Sequence, residues 1–178
     1  MIFIRYAPVG VLVLLSLISD IKTGKIRNGI TLSFIVLGFA VNLYLKGLPG
    51  LYDSLSGLIL PALLLMPLYG LKMLGAGDIK LFCSIGSIVG VSLVVYIMIF
   101  SFLSGGIIAV IVMIARKNFK KRMIYILNYF KSCVLTGSIL SYPDFSEGHN
   151  DFRFKFSYAV SLGTILCFIL IRSLNLKC

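Results

Sequence analysis

Gly75-Ala76-Gly77-Asp78-Ile79-Lys80 separates two long apolar runs and sets an acid between them. The chain holds only six acids in 178 residues, so where that one lies matters. The stretch is a loop if the flanking runs form a soluble core, and a membrane boundary if they cross a bilayer. Composition decides between the two. Hydrophobic residues make up 59% of the chain, and its mean hydropathy is +1.04. Ordinary soluble domains are about 45–50% apolar. A soluble fold of this length cannot hide so much apolar surface. A spanning helix needs about 20 apolar residues to cross roughly 30 Å of hydrocarbon. The expected architecture is therefore all-α, a polytopic membrane protein with about six transmembrane helices.

Working outward from that stretch, the fourth span opens near Asp78 and ends around Gly90, short for a crossing. The third covers about Ser54 to Leu71 and contains Pro61 and Pro67, which favour kinks. Lys46 to Gly50 separates it from a second span over about Ile30 to Leu45. A polar turn, Asp20 to Gly29, leads back to the first, about Tyr6 to Ser19. Forward of Gly90, the fifth span runs about Val91 to Ala115, with Ser101, Ser104, Gly105 and Gly106 small enough for close helix contact. The sixth covers about Phe156 to Ile171. Arg5 ahead of an apolar run has the layout of a signal peptide. No small-x-small cleavage site follows, so this run reads as a retained first span.

Basic residues set the orientation. With six spans and the N-terminus outside, 13 of the 17 Lys and Arg residues fall on the inner side and four outside. That agrees with the positive-inside rule, which the opposite threading breaks. The same bias accounts for the net charge of +11 without nucleic acid, since the aromatic residues lie within apolar runs. No nucleic-acid partner is expected; the lipid bilayer is. The segment 116–155 becomes a cytoplasmic loop. Its Phe119, Met123, Ile126, Leu127, Phe130 and Val134 at helical spacing suit an amphipathic helix in the headgroup plane, with a topogenic charge cluster as the alternative. Cys83, Cys133, Cys167 and Cys178 form no Cys-x-x-Cys pair, and His149 is the single histidine, so no metal site and no cofactor is expected.

This threading has a chemical consequence. Asp20 closes an inward span and Asp78 opens an outward one, so both reach the cytoplasmic boundary. Asp53 falls outside; Asp144, Glu147 and Asp151 fall in the last inner loop. Two carboxylates close together share one proton, because like charges resist ionising together. One then activates water and the other protonates a leaving nitrogen, as aspartyl proteolysis requires. The titration belongs to the pair, and which acid holds the proton stays open. Gly75 and Gly77 permit unusual backbone torsions and keep side chains away from the acid. A bare backbone can also pair with an extended peptide. The structural alternative is a helix C-cap followed by the N-cap of the next helix, with Asp20 a polar helix end.

Gly75-Ala76-Gly77-Asp78-Ile79-Lys80 resembles the Gly-x-Gly-Asp-x-Lys signature of the type IV prepilin peptidase family, related in motif to presenilin-type intramembrane aspartyl proteases. Asp20, Lys22, Ile26 and Asn28 resemble the family's first aspartate motif, with Arg27 where proline is usual. Phe154 to Val160 with Gly163 resembles the segment before the family's last span, with Phe-Lys in place of Ile-Pro. The resemblance implies a single transmembrane peptidase domain over 1–178. It implies Asp20 and Asp78 as the catalytic pair, with Gly75, Gly77, Lys80 and Asn28 as motif support. The implied partner is a prepilin-like or pseudopilin substrate, cut after its basic leader at the cytoplasmic face. Larger members resemble this chain plus a methylating domain. The loop of about ten residues between the first two spans implies a peptidase without N-methylation. A non-catalytic membrane assembly factor or channel-like subunit is the alternative.

Overall fold

A computed structural model describes residues 2–71, 73–115 and 156–173. Among the described residues there are six helices and no strand: α1 (Ile2–Thr23), α2 (Asn28–Lys46), α3 (Leu48–Gly70), α4 (Ala76–Val89), α5 (Val91–Ala115) and α6 (Phe156–Ser173). Without water to bond a bare backbone, a helix is the way an apolar chain satisfies its own N–H and C=O groups. α1, α2, α3 and α5 are each long and apolar enough to cross a membrane. α4, at 14 residues, is about 21 Å long, and α6 carries a shorter apolar stretch, Phe156–Ile171. The expectation of about six spans is met only roughly, by four full-length candidates and two shorter helices.

The helices outrun the apolar runs that announced them. α1 continues through Asp20 to Thr23, and α2 begins at Asn28, so the expected turn over 20–29 shrinks to residues 24–27. Hydropathy falls at the edge of the oil, whereas backbone bonding continues past it. Likewise the break at Lys46 to Gly50 contracts to Gly47 alone, whose φ of 66° reverses the chain. Pro49, in the first turn of α3, costs no hydrogen bond there.

The chain clusters into two compact units, Met1–Gly105 with Lys155–Cys178, and Gly106–Phe154. The described part of the second is the end of α5. The inner loop expected over 116–155, with its interfacial helix, lies outside the described residues.

In the first unit α4 is the innermost element. Every residue from Leu81 to Gly90 is buried, and α1, α2 and α3 pack around it. Small residues let the backbones approach. A Cβ on Gly57 of α3 or on Gly86 of α4 would strike the other's carbonyl oxygen, and one on Gly38 of α2 would strike Ser87. Asn42 of α2 ties the three helices together. Its Nδ2 lies 2.7 Å from Ser54 Oγ on α3 and 2.9 Å from the Ser87 carbonyl on α4. α6 lies against α1 through the Tyr6 and Phe168 rings and against α5 where Ser104 donates to the Ala159 carbonyl at 2.8 Å. The outward side is apolar: Leu14, Val36, Leu63 and Met66 are all well exposed, as a lipid-facing surface requires.

Candidate functional site: two carboxylates at one end of the bundle

The last turn of α1 presents Asp20, and the turn after it is locked by side chains. Ser19 donates to the Lys25 carbonyl at 3.1 Å, and the Thr23 hydroxyl lies 2.8 Å from the Ser19 carbonyl and 2.9 Å from that of Lys25. Gly24, with φ 66°, donates its N–H back to the Asp20 carbonyl at 2.9 Å. The chain then turns so that Ile26 lies against the first turn of α4, where a Cβ on Gly77 would meet it at 3.4 Å. Asn28, at the start of α2, accepts a 2.9 Å hydrogen bond from Lys80 on α4. The first-aspartate segment and the second-aspartate segment are thus packed on each other.

Asp78 is the third residue of α4, and Gly75 is its N-cap. The Gly75 carbonyl accepts from the Asp78 N–H at 3.1 Å, closing the first turn. The Asp78 side chain in turn reaches back to the Gly75 backbone, as an acid at this position of a capping box does. Of the capping alternative, only the second half is present: Gly75 is the N-cap of α4, whereas α3 is closed earlier, at Leu71. Burial pushes the Asp78 carboxyl up to about 6, the Asp20 charge adds to the rise, and the Gly75 hydrogen bond opposes it. Asp78 lies outside the four spanning segments.

One expectation needs correction. Gly75 has φ −79° and Gly77 is helical, so neither uses the freedom peculiar to glycine; the positive-φ glycines are Gly24, Gly47 and Gly90. What matters at 75 is volume. A Cβ on Gly75 would lie 3.2 Å from Asp78 Oδ2, inside normal contact distance, whereas one on Gly77 would reach ordinary contact with Ile26, at 3.4 Å. The missing side chain at 75 leaves room around the acid.

A residue that the sequence left without a role completes the setting. Ser157, in the first turn of α6, donates to Asp20 Oδ2 at 2.7 Å. Asp20 is 8% exposed and Ser157 2%. The signal available in sequence was faint: Ser157, Ser161 and Thr164 recur at helical spacing within an apolar run, the pattern of ordinary small packing residues.

Asp53, by contrast, lies at the other end of the bundle. It pairs with Lys46 at 3.4 Å, and its Oδ1 accepts from the Val91 N–H at 3.3 Å. The structure brings together Asp20, Asp78, Gly75, Gly77, Lys80 and Asn28, and leaves Asp53 apart. Asp144, Glu147 and Asp151 lie outside the described residues.

An all-helical, lipid-compatible bundle with two carboxylates at one end is suited to membrane-embedded hydrolysis. The sequence matches the type IV leader peptidase family over residues 8–110, a range that contains both acids, and the chain belongs to that family. The protein is accordingly a leader-peptidase-type membrane protease. α6 and Ser157 lie beyond the matched range. Comparison with curated proteins and with solved structures returned no match.

Proposed function

We propose that the chain is a single-domain aspartyl endopeptidase of the cytoplasmic membrane that removes the basic leader of type IV prepilin-like proteins. Asp20 and Asp78 are its catalytic pair. One carboxylate takes a proton from water as the water oxygen bonds to the scissile carbonyl carbon. The other gives a proton to the amide nitrogen as the C–N bond breaks. A shared proton near neutral pH suits this division of labour, and the raised Asp78 carboxyl fits it. The observation that carries the reading is the packing of the loop after Asp20 on the first turn of α4, through Ile26 against Gly77 and the Lys80–Asn28 hydrogen bond, which brings the half-buried Asp78 to the same end of the bundle as Asp20.

The cleavage face follows from the basic residues. Lys22, Lys25, Arg27 and Lys80 are exposed at this end, which supports a reading with the acids at the cytoplasmic leaflet and the N-terminus outside. A basic leader approaching so basic a rim needs screening, which anionic lipid headgroups supply. N-methylation is not part of the activity: only residues 24–27 separate α1 from α2, where larger relatives carry their methylating domain.

The test is to incubate the detergent-purified protein with a prepilin peptide carrying a basic leader, a glycine and an apolar helix. The expected product is the shortened chain with an unmodified amino terminus, even with a methyl donor supplied. Asp20→Asn and Asp78→Asn each accumulate in the membrane and yield no product. Full cleavage by either variant removes the aspartyl mechanism. A wild-type protein that binds the peptide without cutting it supports the assembly-factor alternative.

A further inference from the structure

We infer that Ser157 is a positioning residue: its hydroxyl holds the Asp20 carboxyl group in place from another helix, and so makes α6 part of the active site. The inference rests on the dyad reading above and names the residue that orients the first acid of the pair.

A helix backbone fixes the Cβ of an aspartate but not its carboxyl group, because the last torsion of that side chain is broad. A reacting group has to be held to within about 0.5 Å of its productive place. Asp78 has a local anchor: it stands at the start of α4, and its side chain reaches the Gly75 backbone. Asp20 stands in the last turn of α1, where the N–H groups are bonded within the helix and the spare groups are carbonyls. Its own helix end therefore leaves its side chain no backbone donor. Lys22, Lys25 and Arg27 are exposed, and among the described residues no ion pair reaches Asp20. The donor has to come from another element.

Ser157 supplies it, 2.7 Å from Asp20 Oδ2. Both residues are buried, so water does not readily take the serine's place. The bond asks for no particular protonation state, since a carboxyl oxygen accepts from a hydroxyl whether the group is charged or neutral. The other hydroxyls along α6 behave differently. Ser161 and Thr164 donate to carbonyls of their own helix, those of Ser157 and Val160, as hydroxyls in helices commonly do. Ser157 alone of the three sends its hydroxyl to another helix. α6 is itself seated on two neighbours. A Cβ on Gly163 would strike the Ser101 backbone of α5, and Ser104 of α5 donates to the Ala159 carbonyl at 2.8 Å. On the α1 side, the Tyr6 and Phe168 ring centroids are 4.4 Å apart. The hydroxyl is thus aimed at Asp20 from a fixed helix.

The test measures kcat and KM for the prepilin peptide in Ser157→Ala, Ser157→Thr and Thr164→Val beside the wild type, with Asp20→Asn alongside. Ser157→Ala is expected to lower kcat by about ten- to hundredfold and leave KM within about twofold, because a misplaced carboxyl group costs the reaction and not the binding of substrate. Ser157→Thr keeps the hydroxyl and stays near the wild type in both constants. Thr164→Val removes a buried hydroxyl that bonds its own helix, and stays near the wild type too. An unchanged kcat in Ser157→Ala overturns the proposal. So does a change carried mainly by KM, an equal loss in Thr164→Val, or a Ser157→Ala protein that does not fold, since these assign Ser157 to binding or packing. A loss in Ser157→Thr as large as in Ser157→Ala also overturns it, because the hydroxyl is then not the cause. If Ser157→Thr does not accumulate, the split between kcat and KM in Ser157→Ala decides alone. Cleavage by Asp20→Asn breaks the dyad itself. An inactive Asp20→Asn with an unaltered Ser157→Ala breaks only the role given to Ser157.

Discussion

The two ends of α4 carry the same side-chain type to opposite effect. At the Gly90 end, Asp53 has a cation, Lys46, and a backbone donor, Val91 N–H, so its charge is matched and its task is to join α3 to the α4–α5 corner. At the Gly75 end, Asp78 has another acid nearby and no described cation bonded to it, and burial leaves its carboxyl near 6. Lys80, two residues on, donates to Asn28. A matched charge stabilises; an unmatched one is costly and persists where it has work to do. Between the ends, the Gly57–Gly86 approach and Asn42 hold α4 rigidly in its neighbours, so the two environments stay distinct.

The comparison breaks most visibly in cleavage. Asp78→Asn is expected to lower peptide cleavage by about a thousandfold or more, as loss of an acid or base in a concerted pair does. Asp53→Asn is expected to leave it within about twofold. Comparable losses at both ends in a turnover assay contradict the division drawn here.

Next in size is the clamp between the ends. Gly86→Ala puts a methyl group against the Gly57 carbonyl oxygen, which is backbone and cannot swing aside. A destabilisation of about 3 kcal/mol or more is expected, read as a lower melting temperature in detergent. Asn42→Ala leaves the Ser54 hydroxyl and the Ser87 carbonyl without their shared donor, and about 1–3 kcal/mol is expected from the same measurement.

A pH series sharpens the contrast in charge. The folded protein holds Asp78 near 6, above its ordinary value of 3.8. A carboxyl raised on folding contributes stability that is fully present below the unfolded value and is lost as pH rises through the folded one. The wild type should therefore lose stability between about pH 4 and 6 through this group. Asp78→Asn, neutral throughout, should melt close to the wild type at low pH and above it at pH 8. A wild type that gains stability over that window relative to Asp78→Asn contradicts the sign. The smallest effect is at the other end: Asp53→Asn weakens a half-exposed ion pair and should cost at most about 1 kcal/mol, less in high salt.

Much of this was legible before any coordinates. The short α4 was visible because Gly75 and Gly90 bracket it, and both acids stood out in an apolar background. Asn28 and Lys80 were marked by motif, although only the fold shows that they bond each other. The role of Gly75 and Gly77 was misread because a glycine in sequence does not say whether its missing side chain or its backbone freedom is used. Helix ends were placed short because apolar composition stops where lipid stops. Ser157 was invisible as a partner: one hydroxyl in an apolar run has no sequence mark for what it touches, and its contact spans almost the whole chain.

The most direct test of the account is proximity across the first loop. With Cys83, Cys133, Cys167 and Cys178 replaced, cysteines at positions 20 and 78 should be joined by a short bifunctional maleimide, seen as an internal bridge by mass spectrometry. Both should also react with an impermeant maleimide from the same side of sealed membrane vesicles. Labelling from opposite sides, with no bridge formed, would contradict the paired-acid site.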